Sequence, residues 1–128
     1  MSLLLDTHTF AWFCLNSSLP SRVRTMIEDY DADIFVSAMS AYEMSLKYRL
    51  GLWPDAGALV DSFNTIIDEA HFTALPIMAG HALRAGALPL VHRDPFDRII
   101  AAHAIAEGLS VVSKDGQLAA LGARVVWE

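Results

Sequence analysis

Five short apolar runs, separated by segments of helical periodicity, constrain this chain more than any other feature of its sequence. The first two runs are SLLL at residues 2–5 and DIFVS at residues 33–37. Three more follow at residues 72–76 (FTALP), 109–113 (LSVVS) and 123–128 (ARVVWE). These runs predict strands. The intervals predict helices at residues 8–15, 20–30, 39–50, 55–70, 76–86, 95–107 and 115–120.

The alternation of short apolar strands with helices predicts an α/β domain. Strands of this kind form a parallel sheet that is covered by helices on both faces and joined by right-handed crossovers. The segment IIAAHAIAEG at residues 99–108 is apolar on nearly all sides, so it must be packed on several of them. Gly108 is the expected C-terminal cap of this helix.

The composition indicates one domain, residues 1–128, with a substantial apolar core. Of the 128 residues, 54% are hydrophobic and 19% are charged. No apolar run approaches the roughly 20 residues of a membrane span, and no basic leader precedes the first run. We therefore expect a cytoplasmic protein without a secretory signal. The single cysteine, Cys14, excludes an internal disulfide and a cysteine-based zinc site.

Four carboxylates are expected at one edge of the predicted sheet. In open parallel sheets, ligands bind beyond the carboxyl ends of the strands, where loops and helix N-termini meet. Asp6 directly follows the first strand, and Glu43 lies in the first turns of the helix after the second. Asp97 opens the long apolar helix, and Asp115 follows the fourth strand by two residues. Four separate segments therefore deliver one carboxylate each to the same edge.

Taken alone, each acid also has a structural interpretation. Asp6 can cap the helix that follows it, and Asp115 can form a turn with the glycine after it. Glu43 stands four residues before Lys47, which is the spacing of an ion pair on a helix surface. Asp94 is a favoured N-cap residue before the proline that opens the long helix. No single acid therefore identifies a site.

Together, the four acids point to bound cations, because converging carboxylates without a cation repel one another and have raised pKa values. Oxygen ligands without cysteine suit Mg²⁺ or Mn²⁺. Such a site offers hydrolysis of a phosphodiester by metal-activated water. The net charge of −6 would otherwise argue against a nucleic-acid partner, but bound cations reverse the field of the acids locally.

Four motifs, in their order along the chain, carry a resemblance to a known family. They are LLDTHTFAW at residues 4–12, VSAMSAYEMSLKYRLGLWP at 36–54, HRDPFDRIIAAHA at 92–104 and LSVVSKDGQL at 109–118. With these motifs the sequence resembles PIN-domain ribonucleases, specifically the VapC-type toxins of bacterial type II toxin–antitoxin pairs, over essentially its whole length. Ser113 stands where this family often has threonine.

The resemblance implies a three-layer α/β/α fold with a parallel sheet of about five strands. It also implies a catalytic acidic quartet around Mg²⁺ or Mn²⁺, formed by Asp6, Glu43, Asp97 and Asp115. Asp94 is an additional candidate metal ligand, although we favour Asp97 for direct contact with the metal and Asp94 as the helix cap. The family further implies an RNA substrate, a cognate antitoxin protein and a homodimer.

Residues beside these acids are candidates for supporting roles. Three hydroxyl groups are candidates to orient a carboxylate or a water molecule: those of Thr7, Ser40 and Ser113. Three cations are candidates either to bind RNA phosphates or to balance the acids in the folded protein: Arg93, Arg98 and Lys114. Core packing and a surface for homodimerisation or antitoxin binding remain alternatives for Trp12 and Trp53.

Other enzyme classes find little support in the sequence. The five histidines show neither HxxxH nor HExxH spacing, which argues against a zinc hydrolase. For His8 and His92, near the predicted acidic edge, a structural or surface role is favoured over substrate contact. The sequence contains no glycine-rich phosphate loop and no nucleophile elbow, which argues against nucleotide-dependent enzymes and serine hydrolases.

The sequence therefore predicts a Mg²⁺- or Mn²⁺-dependent endoribonuclease that is the toxin of a toxin–antitoxin pair. The alternative from another class is a catalytically silent PIN domain that works as a protein-interaction module. The presence of all four acids speaks against this alternative. A third candidate, a nuclease or phosphatase that acts on DNA with the same site, is separated by comparing cleavage of RNA and DNA.

Overall fold

The computed structural model describes residues 1–127 and contains a five-stranded parallel sheet. The strand order is β3-β2-β1-β4-β5, so the order reverses between β1 and β4. Ligands of open parallel sheets bind beyond the carboxyl ends of the strands at such a reversal. The strands are β1 Ser2–Leu5, β2 Asp33–Ser37, β3 Thr73–Leu75, β4 Ser110–Val112 and β5 Arg124–Val126.

Helices connect the strands and cover the sheet. Within residues 1–127, no helix is both long and apolar enough to cross a membrane. The described residues contain one 3₁₀ turn, Pro54–Ala56, which directly precedes the fourth α-helix. The α-helices are α1 Thr7–Cys14, α2 Ser21–Glu28, α3 Ala38–Arg49, α4 Gly57–Asp61, α5 Phe63–Glu69, α6 Ala79–Ala87, α7 Pro95–Glu107 and α8 Gln117–Ala120.

The two faces of the sheet bury separate apolar cores. Successive side chains of a strand point to opposite faces, and β1 follows this rule. Leu3 and Leu5 pack with Phe10 of α1 on one face, whereas Leu4 packs with Ile100 of α7 on the other. All five side chains are fully buried. The predicted three-layer α/β/α architecture is therefore confirmed.

The prediction of one continuous helix over residues 55–70 is wrong. The structure divides it into the 3₁₀ turn, α4 and α5, and Ser62 between the last two helices leaves helical geometry at φ −116° and ψ 17°. Gly57 and Ser62 are both weak helix formers, which favours the interruption. Gly57 also lies under the ring of Tyr48, where an added Cβ would approach Cε1 to 2.7 Å.

Several predicted boundaries are displaced by local hydrogen bonds. The helix predicted from residue 76 begins only at Ala79, because Met78 is extended and its N–H donates to Nδ1 of His81. The helix predicted from residue 115 begins at Gln117, whose N–H donates to the side chain of Asp115. The predicted strand 123–128 is observed at Arg124–Val126, and its last residue lies outside the described residues.

Helix α7 has the two ends that its sequence predicts. At its start, the Asp94 side chain accepts hydrogen bonds from the backbone N–H groups of Phe96 and Asp97, and proline occupies the first turn. At its end, Gly108 adopts the left-handed conformation with φ 68°, which glycine adopts without steric cost. The cap therefore fixes where the first turn of α7, and with it Asp97, stands relative to the sheet.

Candidate active site

A cleft of about 380 Å³ lies beyond the carboxyl ends of β1 and β4. Its walls come from the loops and helix starts that follow β1, β2 and β4, and from the start of α7. All four acids of the predicted quartet line it, and Asp94 lines it as well. The complete lining is Asp6, Thr7, His8, Trp12, Glu43, Lys47, Asp94, Asp97, Lys114 and Asp115.

Asp6 is held in place by two hydrogen bonds, one to each carboxylate oxygen. Oδ1 accepts from the backbone N–H of Thr9 at 2.8 Å, so Asp6 caps α1 as its structural interpretation requires. Oδ2 accepts from Oγ of Ser113 at 2.5 Å. Burial nevertheless raises the pKa of Asp6 above its ordinary value. Capping uses only part of the acceptor capacity of the carboxylate, which leaves lone pairs for a cation in the cleft.

Glu43 forms the predicted pair with Lys47, but in the cleft and not on an open helix surface. Nζ of Lys47 lies 2.5 Å from Oε2 of Glu43, and only 5% of Glu43 is exposed. The same ammonium group lies 5.4 Å from the ring centre of Phe96. Lys47 thus balances the buried charge of Glu43, the one acid of α3.

The start of α7 gathers the tightest group of candidate metal-binding atoms. Nε2 of His92 is hydrogen-bonded to Oδ2 of Asp97 at 2.7 Å. Burial raises the pKa of Asp97, the negative charges of Asp94 and Asp115 raise it further, and the His92 hydrogen bond lowers it. Among residues 1–127, one set of three donor atoms lies within 4.8 Å of one another, from His92, Asp94 and Asp97.

Asp115 and Ser113 connect the end of β4 with Asp6. The N–H of Asp115 donates to Oγ of Ser113 at 3.0 Å, and this hydroxyl in turn donates to Asp6. Oδ1 of Asp115 accepts from Gln117 N–H at 2.9 Å, in the turn that its sequence indicates. Ser113 is therefore a direct partner of a cleft carboxylate, as a residue that orients a ligand must be.

The other two predicted hydroxyl residues contact each other. Oγ1 of Thr7 and Oγ of Ser40 are 2.9 Å apart, and both residues are buried. This bond ties the start of α1 to the start of α3, next to the helix positions that carry Asp6 and Glu43. Within residues 1–127, neither hydroxyl is hydrogen-bonded to a carboxylate, so the bond joins the two helices and does not orient an acid directly.

Arg98 does not line the cleft, where either of its two candidate roles, binding RNA phosphates or balancing the acids, would place it. Only 8% of Arg98 is exposed, and its guanidinium group donates to backbone carbonyl oxygens of the segment before α7. The acceptors are Ala85, Gly86, Leu88, Pro89 and His92, at distances from 2.7 to 3.4 Å. The guanidinium group lies against these carbonyl oxygens because its five N–H donors, once buried, need acceptors within the protein.

The two remaining predicted cations are exposed and differ in position. Lys114 lines the cleft between β4 and Asp115, whereas Arg93 lies outside the cleft lining, in the segment before α7. Of the two, only Lys114 therefore lies among the acids of the cleft.

The donor set fits a hard divalent cation. The cleft lining offers carboxylate oxygens and the imidazole of His8, without a thiolate. The imidazole of His92, outside the lining, is bonded to Asp97. Within the described chain, the only three donor atoms that all lie within 4.8 Å of one another are those at the start of α7. The acids of the predicted quartet are therefore too far apart to surround a cation closely. Mg²⁺ suits such an open site, since it binds one or two carboxylates and keeps several waters.

Comparison with protein-family models identifies the fold family. The model of the PIN domain matches residues 3–123, a range that contains every acid of the cleft. The chain belongs to the PIN domain family. The predicted family is therefore confirmed, and no curated protein sequence matches this PIN domain.

Solved structures share the fold of this PIN domain at low sequence identity. FitAcB from Neisseria gonorrhoeae is 22% identical with a TM-score of 0.69, over 96% of this chain and 95% of that one. DNA-bound VapBC from Salmonella typhimurium is 20% identical with a TM-score of 0.69, over 98% and 97%. VapC20 from Mycobacterium tuberculosis, a Sarcin-Ricin loop cleaving toxin, is 16% identical with a TM-score of 0.67, over 98% and 99%.

Sequence reasoning assigned no definite site role to three residues that surround the acids of this PIN domain. His8 and Trp12 line the cleft, and His92 is bonded to Asp97. Their spacing offered a partial signal, since His8 and Trp12 are four residues apart and therefore share a face of α1. His92 lies in a segment without periodicity, so its direction could be known only from the structure.

Proposed function

We propose that this PIN domain is a Mg²⁺- or Mn²⁺-dependent endoribonuclease and the toxin of a type II toxin–antitoxin pair. The observation that carries the proposal is the convergence, in one cleft, of carboxylates from α3, α7 and the ends of β1 and β4. Two lysines lie among them. The similarity in fold to a toxin that cleaves the Sarcin-Ricin loop supports RNA as the substrate.

The chain contributes the positions of its acids, of which Asp6 and Glu43 are buried. Asp6, Asp97 and Asp115 would hold the cation through the carboxylate oxygens that their caps and turns leave free, with Glu43 or Asp94 as a further ligand. The bound cation supplies Lewis acidity for a phosphoryl oxygen and activation of water for attack on the phosphodiester. Two contacts keep the acids oriented, Ser113 on Asp6 and His92 on Asp97.

The lysines would guide the RNA strand past the acids. Lys114 stands at the rim of the cleft and is exposed, so it binds a phosphate next to the scissile one by charge attraction. Lys47 pairs with Glu43 and reduces the repulsion between the acids and the incoming backbone. A divalent cation and two lysines together allow a chain of net charge −6 to bind a polyanion.

The proposal includes a cognate antitoxin and a homodimer in the cytoplasm. The similar structures from Salmonella typhimurium and Rickettsia felis are VapBC complexes bound to DNA. By analogy with these toxin–antitoxin complexes, we propose that this chain has an antitoxin partner. Exposed apolar residues at the end of α3, namely Tyr48, Leu50 and Leu52, offer surface of the kind that protein partners cover. A reducing compartment suits the single thiol of Cys14.

Cleavage of RNA by wild type and by Asp6→Asn tests this proposal. The change removes one carboxylate charge but keeps an oxygen that can cap α1, so the fold should survive. We expect Mn²⁺-dependent cleavage of RNA by wild type and a loss on the order of 100-fold or more in the variant. The measurement is gel analysis of RNA fragments, with single-stranded DNA of the same sequence as a second substrate.

Asp33→Asn is the matched control, because Asp33 is exposed and lies at the amino end of β2, the opposite edge of the sheet. It should cleave like wild type. Retained activity in Asp6→Asn would contradict the metal site. A well-folded wild type that cleaves neither nucleic acid would favour the protein-interaction module, and equal cleavage of DNA would remove the assignment to RNA.

A further inference from the structure

Aromatic side chains form one side of the acidic cleft. We name the set His8, Trp12 and Trp53 the aromatic wall. The rings of His8 and Trp53 are stacked, with centroids 4.6 Å apart and planes inclined by 20°. The His8 ring also lies 5.7 Å from that of Trp12, which in turn meets Trp127 edge-on at 6.2 Å. His8 and Trp12 line the cleft together with the acids.

Core packing accounts for Trp53, which packs against the apolar core, but not for the positions of His8 and Trp12. Phe10, on the same helix, is fully buried in the apolar core and supplies the packing that α1 needs. His8 is exposed, and Trp12 and Trp53 are half-buried. Aromatic surface is therefore left open to the solvent of a strongly charged cleft, where the neighbouring side chains are carboxylates and lysines.

The wall is adjacent to the candidate metal ligands. His8 follows Asp6 by two residues, and Trp12 follows it by six, so Trp12 stands about 9 Å further along the axis of α1. Trp53, brought in by the turn after α3, stacks on His8 but is not among the residues that line the cleft. The cleft therefore presents charged and aromatic surfaces side by side. Its volume of about 380 Å³ lies within the range of roughly 300–1,000 Å³ that is usual for small-molecule pockets.

We propose that the aromatic wall binds an unpaired base of RNA by stacking, while the adjacent phosphate is held at the acids. This inference rests on the proposed ribonuclease function and specifies its substrate. Proteins bind single-stranded nucleic acid by stacking unstacked bases on Trp and His rings beside cations that follow the backbone. Here Lys114 supplies such a cation. A duplex offers no free base face, so a paired segment would not occupy the wall.

Binding of a labelled single-stranded RNA hexamer, compared with a fully abasic hexamer of the same length, tests the proposal. Ca²⁺ would replace Mg²⁺, and affinity would be read from fluorescence anisotropy, so that no cleavage is needed. Wild type should bind the base-bearing hexamer more tightly than the abasic one. His8→Ala and Trp12→Leu should each reduce this preference, by roughly 5- to 150-fold, because base stacking contributes that much to affinity.

Control variants separate stacking from damage to the fold. Trp12→Phe keeps an aromatic face and should restore part of the preference that Trp12→Leu loses. Tyr30→Ala removes an aromatic ring that is 98% exposed and lies outside the cleft, so its preference should equal that of wild type. His8→Ala alters an exposed position, and its thermal unfolding should match wild type, which leaves the binding result interpretable.

Several outcomes would overturn the proposal. These are equal binding of the two hexamers by wild type, no measurable binding of either, or an undiminished preference in both wall variants. Binding of the antitoxin that weakens in these variants while RNA binding does not would assign the wall to the protein partner. If wild type cleaves RNA and the wall variants keep the preference for bases, the ribonuclease proposal stands and the stacking proposal fails. If binding depends on the bases and the wall but no RNA is cleaved, the stacking proposal stands and the ribonuclease proposal fails.

Discussion

Asp6 shows at the scale of one residue what distinguishes a ligand site from a helix cap. Two donors hydrogen-bond to its carboxylate, and both bonds lower its pKa, yet burial keeps that pKa raised. A cap on a helix surface does not carry this cost, because water solvates the charge. A divalent cation in the cleft would stabilise the ionised form and remove the cost.

The raised pKa of Asp6 predicts a pH dependence of stability in the metal-free protein. The folded state holds the proton of Asp6 more tightly than the unfolded state, whose ordinary pKa is 3.8. The resulting stability is complete below pH 3.8 and is lost as the pH rises through the raised value. Asp6→Asn carries no such proton, so its unfolding free energy should fall less over the same range.

Urea unfolding in EDTA, from acidic to neutral pH, measures this difference. Mn²⁺ should then restore stability at neutral pH in wild type and restore much less in Asp6→Asn, because only a cation that binds the folded state stabilises it. If the unfolding free energy of the two metal-free proteins changed equally with pH, the pKa of Asp6 would not be raised by its burial.

At the scale of elements, the site depends on how the start of α7 is fastened to the chain before it. Arg98 fastens it, since its guanidinium group bonds to carbonyl oxygens from the end of α6 to His92. The same helix turn carries Asp97, and the segment that Arg98 holds carries His92, which bonds to Asp97. A buried cation thus sets the geometry of an acid that it does not touch.

Replacement of this guanidinium group should destabilise the whole domain. Arg98→Lys leaves several carbonyl oxygens without a donor, so we expect the free energy of unfolding to fall by about 2–4 kcal/mol. Arg93→Lys, at an exposed position, should change it little. Urea denaturation of the two variants measures the effect. Unchanged stability of Arg98→Lys together with weaker RNA binding would instead support the phosphate-binding role.

At the scale of the molecule, the predictable part of the fold is the part that depends on periodicity. The apolar runs predict parallel strands, and the opposite directions of Leu4 and its neighbours in β1 follow from the alternation of side chains along a strand. Parallel strands end at one edge, so the gathering of Asp6, Glu43 and Asp115 follows from topology. The mutual repulsion of converging carboxylates then pointed to bound cations, and the family resemblance added the expected catalytic roles of these acids.

The remaining features depend on contacts between segments that are distant in sequence. Arg98 turns away from the cleft because the chain before α7 folds over its donors. The stacking of Trp53 on His8 depends on the path of the turn after α3. The broken helix at Ser62 is an exception, because weak helix formers within the segment favour the break locally. Neither spacing nor propensity along the chain reports such long-range packing.

Calorimetric titration with Mn²⁺ tests most directly whether separate segments of the chain build one metal site. Wild type should bind Mn²⁺, and Asp6→Asn and Asp97→Asn should each bind it at least about tenfold more weakly, because each removes an acid that lines the same cleft. Asp33→Asn, at the opposite edge of the sheet, should bind like wild type. Equal affinity of all four folded proteins, or no binding by wild type, would contradict a cation site built by these acids.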